Sequence, residues 1–280
     1  MMSDEIYYAQ SLFTIKGQTA VITGGSGGLG RAMAQGLAQA GVKVAIISQH
    51  EEKARRVADE IIARGGEALG IGCDVVEQDA LLTAYEHITA ALGPVDILVN
   101  GAGGNQAGAT TSPDLSFFDL DTAAIDRVFA LNFSGTLKCS QVFGRVMAER
   151  KQGCIVNIAS MNSLRPLTRI PAYSAAKAAV TNFTQWLAVH MAQEYSPQIR
   201  VNAIAPGFFL TDQNRFLLTD AQSGGYTARG ETILAHTPMR RLGEAEDLVG
   251  TLLWLVSPAA RFVTGIVVPV DGGFSAFSGV

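Results

Sequence analysis

The chain reads as an α/β protein: an open, doubly wound sheet of seven parallel strands with helices on both faces. Three observations predict this. Short β-branched apolar runs recur along all 280 residues, helical patterns separate them, and a glycine-rich turn follows the first run at once. Strands covered on both sides read as unbroken apolar runs, as parallel sheets do, and right-handed crossovers carry the intervening helices to both faces.

The elements follow in order. TAVITG (19–24) is a strand, and LGRAMAQGLAQAG is the helix behind it. VKVAIIS (42–48) is followed by the helix EEKARRVADEIIARGG, and ALGIGCDV (68–75) by a helix over 77–92. VDILVNGAG (95–103) is the fourth strand, and a helix over about 122–149 leads into GCIVNIAS (153–160). A helix over about 172–194 precedes IRVNAIAP (199–206), and one over 244–256 precedes GIVVPVDGG (265–273). The segment 207–240 is the exception, long and irregular, with Phe208, Phe209, Asn214, Arg215 and a glycine pair at 224–225. A stretch of that length outside the sheet reads as a lid over a site, with a rigid contact between copies as its alternative. No repeat or linker divides the chain, so one domain over 1–280 is expected.

Composition narrows the function classes. With 48% apolar and 16% charged residues, the chain has the balance of a soluble globular protein. A formal charge of −4 offers nucleic acid no electrostatic handle. The N-terminus carries Asp4 and Glu5 where a signal peptide would be basic. No run approaches the roughly 20 apolar residues of a membrane span. Cys73, Cys139 and Cys154 are odd in number and lie among apolar neighbours. They read as reduced core thiols, which suits the cytoplasm.

The first strand ends in TGGSGGLG, residues 23–30. Gly24 permits the tight turn, Gly28 lets the backbone approach a pyrophosphate, and Gly30 lets helix and strand pack closely. Ser26 and Leu29 lie on the same turn, and the amides at the helix N-terminus face the phosphates. The spacing GxxxGxG differs from GxGxxG, so a plain tight turn is the bland alternative; the strand-turn-helix setting favours a dinucleotide. No GKS or GKT follows, which argues against a triphosphate-hydrolysing loop. The second strand ends in Ser48-Gln49-His50, where an NAD site usually has a carboxylate for the ribose hydroxyls. No arginine stands beside it to neutralise a 2′-phosphate; only His50 and Arg31 are candidates. NAD(H) is therefore favoured, with NADP(H) open. Asp74, with Val75 beside it, is a candidate acceptor for the adenine amino group, or else a turn residue.

Tyr173 and Lys177 stand four residues apart in AYSAAKAAV, and Ser160 lies thirteen residues before the tyrosine. On a helix the pair shares one face. A phenol with a reference pKa of roughly 10 is a poor proton carrier at neutral pH, and a nearby ammonium favours phenolate. The lysine thus lets the tyrosine exchange protons with an alcohol or carbonyl, whose oxygen the serine hydroxyl holds. Each residue also has an ordinary reading as part of an amphipathic helix; their ordered occurrence after the glycine turn and NGAG (100–103) favours catalysis. Asn132, in FALNFSG, is the fourth candidate: its amide either perturbs its helix and holds a water reaching Lys177, or is a satisfied buried polar group. Ser160 sits in IASMN, not GxSxG, so a serine hydrolase is not indicated. The four histidines are isolated, so no metal is expected, and none is needed where a nicotinamide carries the electrons.

TGGSGGLG, CDV (73–75), NGAG, Asn132, Ser160, YSAAK and NAIAPG (202–207) occur together and in order. On these motifs the chain resembles the short-chain dehydrogenase/reductase family from Phe13 to the C-terminus. The resemblance implies a Rossmann fold and an NAD(P)-dependent oxidoreductase. It places Pro206, Gly207 and Thr211 on the nicotinamide side, with Asn100, Ala102 and Gly103 as the floor of the cofactor cleft. It also implies a homotetramer built through the helices around 122–149 and 172–194 and the last strand. Gly101 departs from the commoner NNAG, with little consequence expected. Within the family, the insertion 103–121, the segment 208–220 and the ending DGGFSAFSGV resemble the D-mannonate oxidoreductase (fructuronate reductase) group. The substrate implied is a small sugar acid, held by Ser160, Asn105, Gln106, Asn162, Arg169, Asn214 and Arg215. Arginine's planar fork suits a carboxylate, although either arginine also reads as a solvated loop charge. Gluconate 5-dehydrogenase and other polyol dehydrogenases are the nearest rivals. 3-Oxoacyl-carrier-protein reductase is more remote, since no basic patch suits a carrier protein. A silent dinucleotide-binding scaffold would have lost the tyrosine or lysine, and both are present.

Overall fold

Seven strands form one parallel sheet in the order β3-β2-β1-β4-β5-β6-β7 in the computed structural model, which describes residues 8, 10–211, 215–220 and 224–279. The first half runs β1 (Thr19–Thr23), α1 (Gly28–Gln39), β2 (Lys43–Ser48), α2 (Glu51–Ile62), β3 (Ala68–Gly72), α3 (Gln78–Leu92) and β4 (Ile97–Asn100). After it come α4 (Thr122–Phe129), α5 (Gly135–Arg150), β5 (Gly153–Ile158), α6 (Pro171–His190) and β6 (Ile199–Pro206). The last elements are α7 (Arg215–Leu218), α8 (Ala228–His236), α9 (Val249–Val256) and β7 (Val267–Val270). All seven expected strands are present; each ladder stops at or before the end of its apolar run, because the chain leaves the sheet there to form the loops of the site.

The strand order reverses between β1 and β4, so a crevice opens beyond their C-terminal ends. Double winding shows in the two halves of the core. Ile22, Ile46, Val99 and Val156 pack with Met33 and Leu37 of α1, Val57 of α2 and Leu252 of α9 on one face. Val21, Ile47, Leu98 and Ile155 pack with Leu81 of α3, Phe143 of α5 and Leu187 of α6 on the other. Both sides of the central strands are apolar and dry, which is why their hydropathy never alternates.

Two expectations change in detail. The helix expected over 122–149 is interrupted by a π turn at Ala130–Ser134. Its cause is Asn132, whose Nδ2 donates to the Val128 carbonyl at 2.8 Å, the acceptor that an α-helix would reserve for a backbone amide. The segment 207–240 is less irregular than expected, since α7 and α8 lie in it and Leu218, Ile233 and Leu242 give it a small core of its own. The three cysteines are free and buried, and burial pushes the Cys73 thiol up to about 11. Among the described residues no helix is long and apolar enough to cross a membrane, and no His/Cys/Asp/Glu group is placed to hold a metal.

Candidate active site

The glycine turn between β1 and α1 is built as its sequence requires. Gly24 has φ +67°, and a Cβ there would meet the Gly101 carbonyl oxygen at 2.7 Å, across the crevice between β1 and β4. A Cβ on Gly30 would collide with the Gly24 carbonyl, so the first turn of α1 lies directly against the loop. Gly28 differs: a Cβ there would be in ordinary contact with Thr211, at 3.6 Å, where the helix N-terminus approaches the loop after β6. The amides of Ser26, Gly28, Leu29 and Gly30 have no backbone acceptor among the described residues. Free amides at a helix N-terminus fit a diphosphate.

At the edge of β2, Ser26 Oγ donates to Ser48 Oγ at 2.8 Å, and Ser48 Oγ also accepts the His50 amide at 3.2 Å. Gln49 Nε2 donates to Asp74 Oδ2, while Asp74 Oδ1 accepts the Val76 amide, both at 3.1 Å. Asp74 is therefore the turn residue of its alternative reading, with Gln49 drawn over it. Val75 is buried, and a Cβ on Gly135 would meet it at 2.8 Å. Arg31, half exposed, pairs with Glu60 at 2.8 Å, which competes with any contact to a 2′-phosphate. His50 is exposed just beyond the end of β2.

β4 ends at Asn100, whose side chain is buried beneath the crevice and does not form its floor. Its Nδ2 donates to Asn157 Oδ1 at 2.8 Å and to Ser140 Oγ at 3.1 Å, and Asn157 Nδ2 donates to Thr184 Oγ1 at 2.9 Å. The floor is made by the backbone that follows. Thr23 Oγ1 accepts the amides of Gly101 and Ala102 at 3.2 and 3.1 Å. A Cβ on Gly103 would meet Asn132 Oδ1 at 2.7 Å and Lys177 Nζ at 3.1 Å. Thr23 opens the motif TGGSGGLG but was given no role of its own, and a lone asparagine in the apolar run CIVNIAS was the available signal for Asn157.

Asn132 is fully buried, with Nδ2 on the Gly104 carbonyl at 2.7 Å and Oδ1 accepting the Gly104 amide at 3.2 Å. It bends its helix, and its side-chain amide is satisfied by the backbone of Gly104 and Val128, as the ordinary reading expects. Lys177 is buried, and its Nζ donates to the Ile158 carbonyl at 2.7 Å. Burial lowers its pKa to about 8. Its Nζ lies 5.8 Å from the centre of the Tyr173 ring, one turn away on α6. Pro171 starts that helix, where its missing N–H costs nothing. Burial pushes the Tyr173 phenol up, and a hydrogen bond shared with Ser160 opposes this. Lys177 Nζ, meanwhile, is turned onto the Ile158 carbonyl. Ser160 follows β5 directly, its Oγ accepting the Asn162 amide at 3.2 Å. The arrangement thus joins a protonated phenol, a hydroxyl beside it and a buried amine behind it.

The expected substrate residues are only partly brought together. Asn162 and Arg169 line an open cavity of ≈ 580 Å³ with Thr111, Leu167 and Ser174. Asn162 Oδ1 accepts the Leu167 amide at 3.2 Å, so this residue links the cavity to Ser160. Arg169 has φ +74°, and its carbonyl accepts the Thr111 amide at 2.9 Å, pinning the insertion to the loop before α6. Asn105 and Gln106 are exposed and lie off this wall, with Asn105 Nδ2 turned onto Thr110 Oγ1 at 2.8 Å. Arg215 is exposed at the start of α7, and Asn214 lies outside the described residues. Pro206 closes β6, Gly207 abuts Asp271 with a Cβ approach of 2.6 Å, and Thr211 faces Gly28.

The chain matches the short chain dehydrogenase family over residues 18–222. An uncharacterized oxidoreductase of Bacillus subtilis (strain 168) is 50% identical over 275 residues, covering 95% of this chain and 98% of that protein. A solved structure from Haemophilus influenza, provisionally assigned as a D-mannonate oxidoreductase and holding NAD, is 44% identical with a TM-score of 0.89, over 95% of this chain and 98% of that one. A gluconate 5-dehydrogenase from Burkholderia cenocepacia J2315, in complex with NADP and tartrate, is 32% identical with a TM-score of 0.86, over 96% of this chain and 99% of that one.

Proposed function

The chain belongs to the short-chain dehydrogenase family of oxidoreductases, and on that premise we propose that it interconverts the keto and hydroxyl forms of a six-carbon sugar acid, D-fructuronate and D-mannonate, with a nicotinamide cofactor. The observation that carries the oxidoreductase chemistry is the convergence of Ser160, Tyr173 and Lys177 beside the glycine-lined crevice. When bound, the nicotinamide supplies or accepts the hydride. The free amides of the Gly24–Gly30 turn would hold its diphosphate, Ser26 and Ser48 would face the adenosine, and Gly103, Pro206, Gly207 and Thr211 would line the nicotinamide side.

In the reductive direction Ser160 holds the substrate carbonyl oxygen and Tyr173 gives it a proton. The phenolate that results is stabilised by the Lys177 ammonium, which the Ile158 carbonyl and the wall at Gly103 keep in place. Burial favours a protonated Tyr173, which suits proton donation. In the oxidative direction the same tyrosine takes the alcohol proton.

The sugar-acid reading is supported by the likeness to the provisional D-mannonate oxidoreductase; the cavity that Asn162 and Arg169 share is bordered by Ser174, Ala175 and Ala178 and not by Ser160, Tyr173 or Lys177. Gluconate 5-dehydrogenase activity is the second reading, favoured by the Burkholderia likeness. NAD(H) is favoured over NADP(H) because Arg31 is committed to Glu60 and no other arginine or lysine flanks Ser48. The segment 207–240 acts as the substrate lid, and the family resemblance favours a homotetramer. Steady-state assays of fructuronate, tagaturonate, 5-ketogluconate and an acetoacetyl thioester with NADH and NADPH test the proposal. Fructuronate with NADH is expected to give the highest kcat/KM. A large preference for the thioester or for uncharged polyols refutes the sugar-acid reading.

A further inference from the structure

Lys138 lies on α5, six residues after Asn132, yet no motif includes it and none of the chemistry above uses it. A lysine on an exposed helix face leaves its ammonium in water. This one is half-buried, and its Nζ donates to the carbonyl of Val76, in the loop between β3 and α3. Among the described residues the ammonium joins no ion pair, so the carbonyl is the partner that holds it. Val76 precedes Glu77, the N-cap of α3, so its carbonyl lies outside the hydrogen-bond ladder of that helix and needs a partner from elsewhere.

The loop Cys73–Glu77 is held from two sides. On one, the Cys73 amide donates to the Ser48 carbonyl at 2.9 Å and Gln49 Nε2 donates to Asp74 Oδ2 at 3.1 Å, which tie the loop to the end of β2. On the other stands α5, where Gly135, Lys138 and Cys139 fall on one stripe of the helix. A Cβ on Gly135 would press on Val75 at 2.8 Å, and Cys139 shares a buried apolar cluster with Cys73 and Val75. Ala102, from the crevice floor, and Leu131, beside Asn132, pack against the same cluster. The loop is thus a wall at the end of the crevice where Ser26 and Ser48 lie, and α5 joins that wall to the floor near Asn132.

We propose that Lys138 is a positioning residue for the cofactor, acting through the Val76 carbonyl to hold Cys73–Glu77 as the wall of the adenine subsite. This rests on the dinucleotide reading of the crevice, with the diphosphate at the glycine turn and the adenosine beside Ser48. A flat, largely apolar base gains affinity from a wall that is already in place; a loop released from α5 must be ordered again each time cofactor binds. The nicotinamide, at the other end of the crevice, keeps its place, so binding weakens while the chemistry does not.

The test compares the unmodified protein with Lys138→Met, which keeps the apolar stem and loses the donor, and Lys138→Arg, which still donates to a carbonyl. NADH and reduced nicotinamide mononucleotide, which lacks the adenosine, are the probes. Binding is read by cofactor fluorescence and turnover with D-fructuronate and 5-ketogluconate. Lys138→Met is expected to raise both Kd and KM for NADH about tenfold, with kcat within about twofold and binding of the mononucleotide unchanged. Lys138→Arg should recover most of the loss. In the protein without cofactor, amide exchange over residues 73–77 should quicken in Lys138→Met and stay constant in α1. An NADH Kd within about twofold of the unmodified protein's, an equal loss for NADH and the mononucleotide, or unchanged exchange over 73–77 overturns the proposal. If the unmodified protein binds NADH but reduces neither keto acid, the substrate reading falls, and binding and exchange still decide the role of Lys138. If it binds no NADH, the dinucleotide reading falls and takes the proposal with it.

Discussion

Replacing Lys177 by methionine separates the cost of burying an ammonium from the use the site makes of it. Nζ is buried on the Ile158 carbonyl, and burial lowers the pKa from 10.5 to about 8. That difference corresponds to about 3 kcal/mol by which folding disfavours the charged form. The sign follows from proton counts. Below pH 8 both folded and unfolded chains carry the proton, and the full cost is present. Between pH 8 and 10.5 the unfolded chain binds more protons, so stability rises with pH; above 10.5 the cost is gone. From pH 7 to pH 10 the lysine protein should regain about 2.5 kcal/mol that a methionine protein cannot. Methionine also leaves the Ile158 carbonyl unpaired, at a pH-independent cost of about 1–3 kcal/mol, so the two proteins should be close in stability at pH 7. The slope decides, not the intercept. Urea unfolding of Tyr173→Phe and Tyr173→Phe/Lys177→Met, at fixed protomer concentration from pH 7 to 10, measures it without interference from the tyrosine. Parallel stability curves would refute the reasoning, since they would mean that Lys177 titrates as an exposed lysine does.

The remaining predictions concern turnover and cofactor. Tyr173→Phe should fold and bind cofactor normally but lose about 10²–10⁴ in kcat, read by steady-state kinetics and cofactor fluorescence. For carbonyl reduction, kcat/KM should fall as pH rises through about 8, because loss of the Lys177 proton withdraws the charge that stabilises the Tyr173 phenolate; a flat profile to pH 9.5 would contradict this. Gly103→Ala pushes a methyl group against Oδ1 of Asn132, whose side-chain amide is fixed to Gly104 and, through Nδ2, to Val128, and should cost about 1–3 kcal/mol in unfolding free energy together with most of the activity. Ser48→Asp, beside the Ser26 hydroxyl, should sharpen NAD(H) preference in kcat/KM, and an unchanged ratio between the two cofactors would count against the placement of the adenosine ribose.

The fold was legible because its signals are local and repeated. Seven apolar runs, each followed by a helical pattern, leave few ways to build a sheet, and the glycine turn fixes where its order reverses. Tyr173 and Lys177 were legible because a four-residue spacing survives folding unchanged. What escaped depends on contacts distant in sequence. Nothing local to Arg31 shows that Glu60 will claim it, and nothing in YSAAK shows that Lys177 will face Ile158. Asn132 was read as a disturbance of its helix, but the π turn it creates needed the Val128 carbonyl in view. That Asn162 and Arg169 line one cavity, across a loop with φ +74° at Arg169, was not legible in the residue types.

The buried amides of Asn100 and Asn157 bear on how the sheet assembles. These residues are direct partners in the β4–β5 ladder, in a sheet whose two faces are equally apolar. Valine and isoleucine tolerate being shifted against one another, so hydrocarbon alone marks no position along such a ladder. The amide pair does. A slide of one residue would aim one amide at the wrong layer of helices, and a slide of two would set it against Leu98 or Ile155, stranding donors and acceptors in a dry interior at a cost of several kcal/mol. The link from Asn157 to Thr184 and from Asn100 to Ser140 extends the same constraint to α6 and α5, so those helices can dock in only one phase. The two asparagines work as a vernier mark for the growing sheet. Replacing both by leucine should preserve the hydrophobic core while permitting misaligned, slowly refolding species.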